Sequence, residues 1–394
     1  MNYPIVILKS GKDQSVRRYH PWIFSGAIKK IKGEVNEGDL VIVTDNKDEF
    51  LALGHYQVGS IAVRIISFED REINEDFWKD KISKAYELRK KFNLAENPDN
   101  NVYRLVHAEG DGLPGLIIDF YNGTVVLQMH SIGMYLNKQH IVEALKEVYG
   151  GQLLAVYDKS ESTIPFKSEI NAKNEYLFGN TGEKVVLEYG NKFKVNWEEG
   201  QKTGFFIDQR ENRKLLAEYS KGRSVLNVFG YTGGFSVYAM NGGAKVVHSV
   251  DSSKLAIDLT NENIALNFND TSRHEAFAVD AFEYLNTIDN KYDLIILDPP
   301  AFAKHQNVLH NALQGYKRLN AKAIEKIKPG GIIFTFSCSQ VVSKENFRKT
   351  IFTAAANTGR NVRILHQLTQ PIDHPINIYH PESEYLKGLV IYVE

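Results

Sequence analysis

The chain holds a single cysteine, Cys338, in 394 residues, so no internal disulfide can form. A lone thiol fits a reducing compartment, and a cytoplasmic location is the expectation. The opening segment MNYPIVILKSGKDQSVRRYH lacks the apolar stretch of a secretory signal. No apolar run approaches the roughly 20 residues that a membrane-spanning helix needs. Net charge is nearly absent too, at −1, so global charge names no partner. Internal repeats and low-complexity tracts are also missing. What is there is a globular composition, 43% hydrophobic and 24% charged, long enough for two or three domains.

Charge is concentrated locally instead. Residues 1–33 carry Lys9, Lys12, Arg17, Arg18, Lys29, Lys30 and Lys32 against Asp13 alone, a surplus of six. Tyr19, His20, Trp22 and Phe24 stand among them. Such interleaving suits a phosphate backbone and its bases, and equally a solvated basic edge.

Three regions follow from the hydrophobic rhythm. Residues 1–70 contain the β-rich runs YPIVILKS, DLVIVTD, FLALGHY and SIAVRIIS, which predict a small barrel. Residues 71–180 open with a helical pattern in which Phe77, Ile82, Ala85, Leu88 and Phe92 recur, stopped by the Pro-Asp-Asn stretch at 98–101. A hairpin around Asn122-Gly123, a helix over MYLNKQHIVEALKEVYG and the strand QLLAVYD complete an α+β module. Residues 181–394 alternate strands with helical segments, which predicts a doubly wound α/β sheet, parallel through its first five strands. NVRILHQL and LKGLVIYV supply two more strands.

Ligands of such sheets bind beyond the carboxyl ends of the strands. The first strand ends in NVFGYTGGFS, whose Gly230, Gly233 and Gly234 permit a tight turn and close ligand approach. The spacing is G-x-x-G-G rather than the G-x-G-x-x-G of dinucleotide folds. Asp251 at the second strand end can accept ribose hydroxyls, or serve as an ordinary helix cap. Asp280 at the third is placed for an adenine amino group. Three such positions in succession fit S-adenosylmethionine better than a nicotinamide cofactor, whose pyrophosphate asks for the tighter glycine pattern. No residue is assigned to a metal.

The fourth strand exits through Asp298-Pro299-Pro300-Ala301-Phe302, and the fifth through Ser337-Cys338-Ser339. Asp-Pro-Pro-aromatic is the signature of amino-group methyltransferases, but here Ala301 displaces the aromatic by one. In a doubly wound sheet these two exits are neighbours. A thiol there can add to C6 of a pyrimidine and make C5 nucleophilic, with Asp298 assisting at N3. The plain alternative for Cys338 is an inert buried thiol.

Taken together, VRRYHPWIFSGAI, RLVHAEGDGLPGLIIDFY, GQKTGFFIDQRENR, VLNVFGYTGGFSVYAMNGGA, SVDSS, LDPPAF and FTFSCS resemble a known family. It is that of the bacterial large-subunit (23S) ribosomal RNA cytosine-C5 methyltransferases, built from PUA, central α+β and class I methyltransferase domains. The resemblance covers essentially the whole chain. It implies a PUA-like RNA-binding domain at 1–70, with Arg17, Arg18, His20, Trp22, Lys29 and Lys30 facing RNA. A central domain at 71–180 and a methyltransferase domain at 181–394 would follow. It further implies that Phe229, Gly230, Thr232, Gly233, Asp251, Asp280 and Asp298 hold S-adenosylmethionine. Thr203, Phe206, Asp208, Gln209 and Arg210 would close on cofactor and substrate. Cys338 matches the family's nucleophile, and a homodimer is compatible with the resemblance. Two differences from relatives stand out. Many RNA cytosine-C5 enzymes carry a second cysteine after the fourth strand, which is absent here. Relatives that act on guanine tend to have Asn where this chain has Cys338. A purine-nitrogen methyltransferase and a non-catalytic ribosome assembly factor are therefore the rival readings.

Overall fold

Short runs of β-branched residues build the first sheet, because alternate side chains of each run face one core. The computed structural model describes residues 3–165, 170–180 and 182–394. The chain forms two compact units: Met1–Val186 with Val195–Ile207 and Ile372–Ser383, and Leu187–Lys194 with Asp208–Pro371 and Glu384–Glu394. The expected boundary between the second and third domains falls at Thr181, outside the described residues.

In the first unit, β1 (Ile5–Leu8), β2 (Trp22–Phe24), β3 (Ile28–Lys32), β4 (Leu40–Thr44), β5 (Phe50–Tyr56) and β6 (Ile61–Ser67) form one sheet. Its order is β2-β6-β5-β4-β1-β3. Val6, Ile23, Val43, Ala52 and Val63, drawn from five of these strands, share one core with Val16 of the short helix α1 (Gln14–Arg17). A second sheet, ordered β11-β10-β9-β8-β7, comprises β7 (Val102–His107), β8 (Leu116–Tyr121), β9 (Thr124–Met129), β10 (Ala155–Asp158) and β11 (Glu175–Gly179). The hairpin predicted at Asn122-Gly123 joins β8 to β9, with Tyr121 opposite Thr124.

Helix α2 (Glu75–Lys91) starts where the Asn74 side chain accepts the Phe77 N–H. Glu75 and Asp76 in its first turn, and Arg89 to Lys91 in its last, complement the helix dipole. It ends before the expected stop at 98–101, because Asn93 turns left-handed (φ 57°). Phe92 therefore lies 45% exposed, off the buried stripe. The next predicted helix is two, α3 (Ile132–Leu136) and α4 (Lys138–Tyr149). Asn137 breaks it by folding its Nδ2 back onto the Gly133 carbonyl at 2.8 Å.

The hairpin of β12 (Val185–Glu188) and β13 (Asn191–Lys194) precedes the large sheet. That sheet consists of β14 (Ser224–Val228), β15 (Val246–Asp251), β16 (His274–Ala278), β17 (Leu294–Leu297), β18 (Gly331–Ser337), β19 (Val362–Thr369) and β20 (Lys387–Val393). Its order is β16-β15-β14-β17-β18-β20-β19. The first five strands are parallel and β20 is antiparallel to both neighbours. This is the class I methyltransferase topology, with strand order reversing beside β14. Every residue of β17 and β18 is buried, as expected of strands covered on both faces. Helices α5 (Arg210–Ser220), α6 (Gly234–Asn241), α7 (Lys254–Asn267), α8 (Ala281–Leu285), α9 (Leu309–Lys326) and α10 (Lys344–Thr358) alternate with the strands. Among the described residues no helix is long and apolar enough to cross a membrane.

A buried ion pair ties the hairpin to this sheet. Arg213 of α5 grips Glu188 with Nε and a terminal nitrogen, at 2.8 and 2.6 Å, and both side chains are almost fully buried. Truncating one partner strands the other charge. We expect Arg213→Met to cost about 3–5 kcal/mol, and Arg213→Met with Glu188→Leu to recover most of it. Urea unfolding midpoints of the second unit's transition provide the measurement.

Candidate active site

The carboxyl ends of β14, β15, β17 and β18 carry the polar residues of the second unit. After β14 the chain turns through left-handed conformations at Phe229, Tyr231 and Gly233. A Cβ on Gly233 would lie 2.7 Å from Thr260 Cγ2, so only glycine fits there. Helix α7 holds the loop from behind. Thr260 Oγ1 donates to the Tyr231 carbonyl at 2.9 Å, and Asn263 Nδ2 to the Thr232 carbonyl at 2.8 Å. Asp251 accepts the Tyr231 N–H at 3.0 Å and the Ser253 N–H at 2.9 Å. The cap of α7 is Ser253, so Asp251 serves the loop rather than the helix. The capping role belongs to Asp280, which is exposed and accepts the Phe282 and Glu283 N–H groups at the start of α8.

At the other side of β14, Leu297 of β17 pairs with Thr335 of β18. Asp298 and Cys338 leave these strands as neighbours. Burial, followed by the charge of Asp208, pushes the Asp298 carboxyl up to about 7. Burial also pushes the Cys338 thiol up to about 12, with Asp298 and then Asp208 adding to it. Gln209 donates to Asp298 Oδ2 at 3.0 Å, and Asn212 donates to Gln209 Oε1 at 2.6 Å, which fixes the amide's direction. Tyr385 donates to Asp208 Oδ2 at 2.7 Å. The other oxygen of Asp208 is buried without a hydrogen-bond partner. Such an oxygen is costly to leave unmatched. S-adenosylmethionine carries an ammonium and a sulfonium, so the carboxyl groups of Asp208, Asp251 and Asp298 in this unit suit its charge.

Comparison with known proteins settles the class. The S-adenosylmethionine-dependent methyltransferase family matches residues 103–376, and a PUA-like domain matches residues 6–68. The chain belongs to this methyltransferase family. Ribosomal RNA large subunit methyltransferase I of Aliivibrio fischeri is 40% identical over 97% of this chain and 98% of its own. The protein of the same name from Tolumonas auensis is 38% identical over 98% of both chains. The solved structure of SMU.776, a methyltransferase complexed with SAH, covers 99% of this chain and 100% of its own at 26% identity and a TM-score of 0.84.

The methyltransferase's remaining expected residues are distributed unevenly. Arg210 is buried, its guanidinium 5.9 Å from the Tyr189 ring centre. Phe229 is half-buried while Gly230, Thr232 and Gly233 are buried. In the first unit, Thr203 is a packing anchor: it donates to Asp119 Oδ2 at 2.6 Å and bonds the Tyr121 hydroxyl at 2.9 Å. Phe206 is half-buried there. Of the basic stretch, Arg18, Lys29 and Lys30 are exposed. Arg17 is bound instead to Asp13, Asp45 and Glu49 at 2.6, 2.8 and 3.2 Å. Two of those carboxylates lie outside residues 1–33, where a local charge count does not see them. Trp22 donates to Glu109 at 2.8 Å, so its polar edge is also turned to the protein.

Sequence reasoning missed Lys387 at the start of β20. It is buried and donates to the Ser339 and Val342 carbonyls, both at 2.6 Å, bracing the turn after Cys338. Burial pushes its ammonium down to about 8, and its charge favours the Cys338 thiolate. A lysine opening the apolar run LKGLVIYV was the available signal.

Asp251 gives the loop its side-chain acceptor. Charged hydrogen bonds contribute about 1.5–3 kcal/mol, so Asp251→Ala should weaken S-adenosylhomocysteine binding by about 10- to 100-fold. Calorimetric titration tests this, and unchanged affinity would remove Asp251 from the cofactor site.

Proposed function

We propose that this methyltransferase forms 5-methylcytosine in large-subunit ribosomal RNA, with Cys338 as nucleophile and Asp298 as its proton partner. The observation that carries the reading is the placement of the two groups at adjacent strand ends, where the Asp298 charge bears on the Cys338 thiol. Full-length relatives named as large-subunit ribosomal RNA methyltransferases support the substrate class. In this reading residues 1–70 contribute RNA binding through exposed Arg18, Lys29 and Lys30. Residues 71–180 form a central domain, and 181–394 hold the cofactor and the reacting base. The target must be unstacked to enter such a site.

S-adenosylmethionine supplies an electrophilic methyl group. The chain's own residues manage the protons. At rest Cys338 is a neutral thiol, and a carboxylate at Asp298 can take its proton as sulfur bonds to C6. Asp298 then delivers that proton to N3, which neutralises the charge pushed into the ring. C5 becomes the nucleophilic atom. Water takes the C5 proton as sulfur departs and the aromatic ring is restored, and N3 returns its proton through Asp298 to the sulfur, which regenerates the thiol and the carboxylate. Gln209, fixed by Asn212, holds the Asp298 carboxylate in one orientation.

Cys338→Ala should lower methylation on the order of a thousandfold or more while S-adenosylhomocysteine still binds. Nucleoside mass spectrometry of the product distinguishes the rivals. Methylated guanosine would move the chemistry to nitrogen, and no methyl transfer with intact RNA binding would favour an assembly factor.

The pH dependence has a definite sign. Asp298 has its pKa raised to about 7, so below that pH it is protonated and cannot accept the thiol proton. We expect kcat/KM to fall about tenfold per pH unit below about pH 7. Measured with saturating S-adenosylmethionine, a flat profile between about pH 6 and about pH 8 rejects the Asp298 relay.

A further inference from the structure

Within the first unit, two histidines and a glutamate converge where the segment 372–383 meets β2. His20 Nε2 lies 3.8 Å from Glu382 Oε1, and His380 Nε2 lies 3.7 Å from Glu382 Oε2. One ligand atom from each residue fits within 4.8 Å of the others. His380 is 1% exposed, and its Nε2 has no hydrogen-bond partner. A buried imidazole nitrogen left in that state is costly, and it is aimed at a carboxylate.

The opposite edges of both rings are occupied, that of His380 in the way metal-ligating histidines require. His380 Nδ1 lies 2.7 Å from Ser383 Oγ. His20 Nδ1 lies 3.2 Å from the Trp22 carbonyl and, at the same distance, accepts the Trp22 N–H. A proton on His380 Nδ1, donated to Ser383 Oγ, leaves the His380 Nε2 lone pair free toward Glu382, whereas His20 has to give up the Trp22 N–H bond and move its proton to Nδ1 to ligate through Nε2. Burial holds His380 below the ordinary imidazole range, which keeps it neutral near pH 7. Glu109, held through its Oε1 by the Trp22 indole, adds a second negative charge that His380 feels. Trp22 shields the pocket, its ring centre 4.2 Å from that of His380.

We propose that His20, His380 and Glu382 form a structural site for a divalent transition-metal ion, with zinc the best fit. Two imidazoles and one carboxylate are an ordinary zinc donor set, with water as the fourth ligand. Ligand atoms around tetrahedral zinc, at bonds of about 2.0–2.1 Å, sit about 3.3 Å apart. The observed gaps are slightly wider, and Glu382, nearly half exposed, can rotate to close them. Bound there, the ion would staple the 372–383 segment to β2. Both sides of the staple belong to one compact unit.

The test uses the full chain, stripped with a chelator and titrated with Zn2+ by calorimetry, then with Co2+ by visible absorbance. We expect about one equivalent of Zn2+ and the intense bands of four-coordinate Co2+. Glu382→Gln, on an exposed side chain, and His380→Gln should each weaken Zn2+ binding by about tenfold or more. Zn2+ should also raise the thermal midpoint of the parent chain but not of Glu382→Gln. A circular dichroism spectrum of Glu382→Gln matching the parent makes that comparison valid irrespective of how His380→Gln folds. Absence of stoichiometric binding, or affinity untouched by Glu382→Gln, overturns the site and leaves a histidine–carboxylate ion-pair cluster.

Discussion

The parallel pairing of β17 with β18 is the constraint on which the active site depends. It brings the exits of two fully buried strands side by side, and neither exit can move without breaking the centre of the sheet. Asp298 and Cys338, each half-buried, are therefore held close enough for the carboxylate's field to reach the thiol. Desolvation raises both, the Asp298 charge raises Cys338 further, and the Asp208 charge raises Asp298. The site does not hold two standing negative charges. The thiol keeps its proton at neutral pH, and Asp298 binds one part of the time.

The surroundings bias both groups. Lys387 braces the turn after Cys338 through two carbonyls, and its positive charge is the local element favouring thiolate. Asp208 works against it, raising both Asp298 and Cys338. An added positive charge at this mouth would offset Asp208 and lower both groups together. In the proposed reaction, binding of the cationic methyl donor would thus be linked by charge to the readiness of Cys338.

Much of this was legible from strand ends alone. Hydrophobic alternation marked the seven strands of the large sheet, and the rule of doubly wound folds placed Asp298 beside Cys338 before any coordinate. The glycine loop and Asp251 were legible for the same reason: backbone geometry demands particular residues there. What escaped was long-range. Arg17 pairs with Asp45 and Glu49, which no window around residue 17 contains. Lys387 reaches the Cys338 turn because β20 runs antiparallel to β18, with Ser337 opposite Lys387. Asn137 and Asn93 ended helices through local side-chain or backbone turns that apolar periodicity does not register. His20 and His380 are separated by most of the chain, so no spacing motif could join them.

The charge balance also constrains how the thiol could react. A thiol near pKa 12 is ionised in on the order of one molecule in 10^5 at pH 7, so attack cannot await a free thiolate. Proton transfer has to accompany bond formation, and Asp298, half ionised near neutrality, is matched to that task. A nucleophile gated in this way is quiet until a base with an acceptor nitrogen lies against the carboxylate. Cytosine N3 is such an acceptor, whereas an exocyclic amino group presents donors instead. In the proposed reaction, selection of carbon over nitrogen would rest on the pair as a unit: the sulfur would activate C5, and the carboxylate would permit that activation only when N3 can receive the proton.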